Sequence, residues 1–201
     1  MLNSDTATLR VIKNPEAQKA LTDWFNLLSE RYAGHAEKKI NGRAWRAEIK
    51  RMEPPYDAMM SEGYNALRHR LSACMALQPI DLMSLALFVS VAAHIKGHNN
   101  QRSFAAQLGE SLRVKNTPCL STLRFERLQR VTTPESFYQQ LIRAVKIRDE
   151  GGVNIISLAD GIFLWMREWE RREAHQPEST HPFDRNRIRW ASEYLSTYDG
   201  K

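Results

Sequence analysis

The run IDLMSLALFVSVAAHIKG, Ile80 to Gly97, constrains this chain more than any other stretch. About fourteen residues precede His94 and Lys96, and Asp81 is the only charge among them. A membrane span takes ~20 consecutive apolar residues, so the run predicts a helix buried in a protein core, with Asp81 as its cap. The remainder of the chain must supply the elements that bury it. With only nine glycines in 201 residues, 42% apolar and 26% charged, the composition is that of an α-rich globular protein rather than a disordered one.

Apolar periodicity gives about eight helices and no convincing strand. The first opens at Asn14-Pro15-Glu16, a cap followed by a proline suited to the first turn, and carries Ala17, Leu21, Trp24 and Leu28. A second runs through RAWRAEIKRM and is stopped by Pro54-Pro55. Ser61 introduces a helix with Tyr64, Leu67 and Leu71 inward, and a short one spans Ser103 to Leu112. Two more occupy Leu120 to Arg148, the second capped by Thr133 with Phe137, Leu141, Ala144 and Val145 on one face. After Gly151-Gly152 a helix aligns Leu158, Ile162, Trp165 and Trp169. Asp184 caps the last, whose inward residues are Ile188, Ala191 and Leu195; Trp190 is the one tryptophan expected to be partly exposed. The segments RVKNTPC and EAHQPESTHP read as a linker and a loop. The expected fold is all-α: an N-terminal extension over 1–14 and two small packed helical bundles over 15–115 and 116–201.

Several function classes find no support. Cys74 and Cys119 have neither a disulfide framework nor metal-ligand spacing, and MLNSDTATLR lacks a basic-then-apolar leader, so a reducing, cytoplasmic setting without membrane attachment is expected. There is no Gly-rich phosphate loop, nucleophile elbow or paired-carboxylate site, so neither catalysis nor a cofactor is expected. His94 and His98 stand four apart, but Gly97 should end the helix between them and no carboxylate completes a metal set.

Charge is more informative. From Lys38 to Arg51 six basic residues face one acidic, and from Arg113 to Arg148 eight face two. The chain carries +6, so everything outside these blocks sums to −5. An acidic chain with two basic blocks is what a polyanion-binding surface requires, because phosphate affinity comes from concentrated charge and counterion release. On a helical projection Arg43, Arg46 and Lys50 share one side of their helix, opposite Trp45, Ile49 and Met52, and lack the acidic partners four residues away that lace an ordinary solvated face. Arg124, Arg127 and Arg130 recur every three residues, Arg124 close enough to the apolar stripe to snorkel over it. Arg143 and Lys146 project away from the apolar face of the following helix. The predominance of arginine suits bidentate contact with phosphate.

The order of these segments resembles a known family. ALTDWFNLL, AEIKRMEPP, GYNALRHRL, the apolar helix, SFAAQL, LSTLRFERLQRVTTPESFYQQLIRAVKI and ISLADGIFLWMREW follow one another, over about residues 17–195, as in the CasB family, the small subunit of the type I-E CRISPR effector complex Cascade. The resemblance implies a two-part helical protein without catalytic activity, two copies of which lie along the complex beside its backbone and large subunits and CRISPR RNA. They would hold the target and displaced strands of DNA when the R-loop opens. It implies that Lys50, Arg51, Arg124, Arg127, Arg130 and Arg143 belong to the nucleic-acid surface, to which the charge map adds Arg43, Arg46 and Lys146. The N-terminal extension, ERYAGHAEKKINGRA and EAHQPESTHP depart from the compact family pattern. A rival expectation, from the residues alone, is a helical scaffold or regulator whose basic blocks dock on acidic partners.

Overall fold

Helix starts follow the capping chemistry. In the computed structural model, which describes residues 9–30, 40–111 and 117–198, the side chain of Asn14 accepts from the Glu16 amide, Asn41 from Ala44, Ser61 from Tyr64, Ser103 from Ala106, Thr133 from Ser136 and Asn154 from Ser157. Each cap gives an acceptor to an amide that the first turn would otherwise leave unpaired. Nine α-helices result among the described residues: α1 (Pro15–Leu27), α2 (Gly42–Ile49), α3 (Glu62–Ser72), α4 (Pro79–Ala92), α5 (Phe104–Gly109), α6 (Thr122–Gln129), α7 (Pro134–Arg148), α8 (Ile155–Glu173) and α9 (Asn186–Thr197). The fold is all-α, and an isolated bridge joins His98 to Val153. α5 ends at Gly109 with Glu110 already extended, short of the end expected at Leu112; Leu112 itself and the boundary between 115 and 116 lie outside the described residues.

The apolar run is α4, and it is central: eleven of its fourteen residues are buried. Among the described residues no helix is long and apolar enough to cross a membrane. Asp81, fully buried, accepts the Gln78 amide at 3.0 Å and takes both donors of Arg167 from α8 at 2.8 and 2.9 Å. It therefore caps α4 and also ties it to α8. α4 lies along α8 and α5 along α9, so elements from both sides of the 113–119 segment share one apolar core running from Ile12 to Tyr194.

A second buried carboxylate attaches the N-terminal segment. Asp160 of α8 accepts the backbone N–H groups of Arg10, Val11 and Ile12 and pairs with the Arg189 guanidinium of α9. Within the expected 1–14 extension Ile12 is fully buried and Val11 packs against the core, whereas Lys13 is exposed.

The inner face of α9 differs from the sequence expectation. Trp190 and Tyr194 are buried, whereas Ile188 and Leu195 are exposed, and Asp184 pairs with Arg10 at 3.2 Å instead of capping. The aromatic residues win the interior because they have partners there: Trp190 meets Phe104 edge-on, Tyr194 stacks on Phe125, and the Tyr194 hydroxyl donates to the Leu120 carbonyl at 2.8 Å. Gly161 of α8 lets the indole of Trp190 approach so closely that a Cβ there would collide with it.

Candidate nucleic-acid interface

α2 is anchored by Trp45 and Ile49, both buried; the Trp45 indole donates to Glu62 at 3.1 Å and its ring side lies against Gly63 of α3. That orientation sends Arg43, Lys50 and Arg51 to the surface, where Arg43 also donates to the Ser29 carbonyl at 3.0 Å. Arg46 is only half-exposed. It donates to the Ile95 carbonyl at 3.1 Å just beyond α4 and rests over the Phe25 ring at 5.6 Å, so its guanidinium has a packing role as well as a charge. Burial lowers its pKa.

α7 buries the expected Phe137, Leu141, Ala144 and Val145, which leaves Arg143 and Lys146 exposed. α6 buries Phe125 and Leu128 and exposes Arg124, Arg127 and Arg130. Between these two helices runs a groove of about 310 Å³ lined by Arg124, Arg127, Arg143 and Lys146 together with Leu120, Gln140 and Ile147. Among the described residues, four cations and no carboxylate line it. Arg130 is placed differently: it pairs with Glu126 at 3.4 Å and lines a separate cleft against α8 and α9.

The two basic blocks, distant in sequence, meet at His94. Burial, followed by the nearby charges of Lys146, Lys50 and Arg46, pushes the His94 pKa down to about 4. The Lys50 pKa is lowered by burial and then by Arg46 and Lys146. Lys146 on α7 is therefore within electrostatic reach of Lys50 at the end of α2. The same cations repel a metal ion from His94, while His98 turns to the Val153 carbonyl at 3.3 Å and the Ile155 amide at 3.4 Å. No metal-binding cluster of three His, Cys, Asp or Glu side chains exists among the described residues.

Arg148, which adds to the charge of its block, is spent inside the fold. It is 3% exposed, donates to the Gly152 carbonyl at 2.9 Å and pairs with Glu110 at 2.7 Å. Its position four residues after Ala144 and three after Val145 is the sequence signal that it shares their inner face. Lys38, Lys39, Arg113 and Lys115 lie outside the described residues.

Comparison with known proteins agrees with the resemblance carried by the sequence. Neither the curated proteins nor the solved structures contain a match to this chain. A family model described as CRISPR-associated protein Cse2 matches residues 45–195, from within α2 to within α9. The chain belongs to the Cse2 family, the small subunit of type I-E Cascade.

Proposed function

We propose that the chain is a non-catalytic subunit that holds nucleic-acid backbone without reading sequence, and that it stabilises target and displaced DNA strands in the R-loop of an RNA-guided antiviral complex. The observation that carries this reading is the α6–α7 groove, lined by four cations and no carboxylate among the described residues, with Lys50 within electrostatic reach of its Lys146. Such a surface attracts phosphates by charge density and counterion release, contacts that position a strand without reading its bases. Guide RNA supplies the sequence specificity in a complex of this kind, so the protein needs only backbone contacts. Membership of the Cse2 family supports association with other Cascade subunits; a second copy of the chain, the backbone and large subunits and the CRISPR RNA are the partners this reading adds.

The test is retention of labelled mixed-sequence DNA across a salt series. For Z phosphates neutralised, log K falls against log salt with a slope near −0.9Z for duplex or about −0.7Z for a single strand. The reading expects a steep slope that is equal for scrambled sequences. A flat salt response, with tight binding to an acidic protein instead, would favour the scaffold alternative.

A further inference from the structure

We infer that the cleft between the N-terminal segment, the end of α6, α8 and α9 is a docking site for an acidic, aliphatic peptide segment of a neighbouring protein subunit; this rests on the reading of the chain as one member of an assembly. The cleft has a volume of about 690 Å³, room for several side chains, and seven cationic side chains line it against three carboxylates. The carboxylates are already engaged: Asp184 pairs with Arg10 at 3.2 Å, Glu178 with Arg185 at 2.8 Å, and Glu168 accepts the Asn186 amide at 2.7 Å. Lys13, Arg171 and Arg187 are exposed and have no carboxylate partner among the described residues.

The chemistry missing from the cleft is that of an acceptor. Three donor nitrogens of its lining, Nε of Arg10, Nε2 of Gln129 and Nη2 of Arg172, are buried without a hydrogen-bond partner among the described residues, and no orphaned acceptor lies beside them there. The Arg172 guanidinium lies over the Trp165 ring at 5.5 Å. An occupant with carboxylates pairs with the exposed cations of the cleft, Lys13, Arg171 and Arg187. Apolar lining from Val131, Leu164 and Ile188, with Phe183 53% exposed next to Asp184, decides between a peptide and a nucleic-acid strand. Evenly spaced phosphates track an open basic groove, whereas a lining that mixes apolar and cationic side chains matches alternating aliphatic and acidic ones.

The first arm of the experiment uses the isolated full-length protein and a short fluorescein-labelled peptide of alternating Asp and Ile, read by anisotropy. The peptide binds, the same peptide with Asn for Asp does not, and Arg171→Glu with Arg187→Glu weakens binding by about tenfold or more without moving the melting temperature. Equal binding of the Asn peptide, or no effect of the charge reversal, overturns the inference. In the second arm p-benzoylphenylalanine replaces Ile188 in the assembled complex, and the photo-crosslinked product is sequenced. A crosslink to an acidic segment of another subunit supports the site; a crosslink to nucleic acid or to a second copy of this chain, or none in an assembled complex, overturns it. If the chain joins no CRISPR complex, the functional reading fails, while the peptide arm still decides what the cleft binds.

Discussion

Asp160→Ala is the sharpest test of how the N-terminal segment is held. The fully buried carboxylate accepts N–H groups of Arg10 at 2.9 Å, Val11 at 2.6 Å and Ile12 at 2.8 Å and pairs with Arg189. Alanine removes every one of these acceptors at once. Arg189 keeps Asn186 at 3.2 Å and Glu193 at 3.9 Å, so its charge is not wholly abandoned, but the three amides have no substitute in the carboxylate's place. Breaking a buried pair from one side costs about 3–5 kcal/mol. For a chain of this size each kcal/mol moves the melting temperature by about 2–4 °C, so the expected drop is on the order of 6–20 °C by calorimetry. Amide hydrogen exchange should accelerate at Arg10, Val11 and Ile12 more than in α4, because these amides lose their acceptor directly. Asp160→Asn, which keeps one oxygen acceptor, should fall between the two proteins. A melting temperature within about 2 °C of the parent, less than 1 kcal/mol on that scale, would refute the role assigned to Asp160.

Other expectations follow from particular interactions. His94, with a folded pKa of about 4 against an unfolded value near 6.5, stays neutral while the unfolded chain takes up a proton. Its share of stability is therefore full above about pH 6.5 and is lost as pH falls toward 4; His94→Gln should flatten that part of the pH–stability curve. A bound oligonucleotide neutralises the cations around His94, so an NMR titration of its ring should give a higher pKa in the complex, and an unchanged value would separate His94 from the bound strand. Gly161→Val forces the side chain into Trp190 and should destabilise by about 1–3 kcal/mol or more, visible as a lower denaturant midpoint. Leu141→Ala removes a fully buried side chain and should cost about 2–5 kcal/mol with no specific change in DNA retention where the fold survives.

Much of the fold was legible because its signals are local. The caps at Asn14 and Thr133, the helix introduced by Ser61 and the inner face of α7 are set by residues within one or two turns of each other, and they appear as expected. The α9 face was misread because Ile188, Ala191 and Leu195 form a plausible stripe, and only the aromatic partners on α5, α6 and α7 favour Trp190 and Tyr194. The Asp81–Arg167 and Asp160–Arg189 pairs join residues far apart in the chain, so no periodicity announces them. For the candidate surface, the charge map found both blocks but not their division of labour. Arg148 and Arg46 are partly or wholly spent on carbonyls and packing, and Arg130 turns to another cleft. Conversely, the approach of Lys146 to Lys50 and His94 depends on how α2, α4 and α7 come together, and sequence spacing does not report it.

The central claim, that the α6–α7 groove and the adjoining edge of α2 form one phosphate-binding surface, is tested most directly by Lys50→Ala with Arg143→Ala and Lys146→Ala in the reconstituted complex. All three side chains are exposed, and exposed substitutions usually change stability by within about 0.5 kcal/mol each. Melting and assembly should therefore be preserved. Target-DNA retention measured across a salt series should weaken, and the slope of log K against log salt should become shallower by about 0.7 for each single-strand phosphate that the variant no longer neutralises. A variant that assembles and melts like the parent yet retains DNA equally at every salt concentration, with an unchanged slope, would contradict the account.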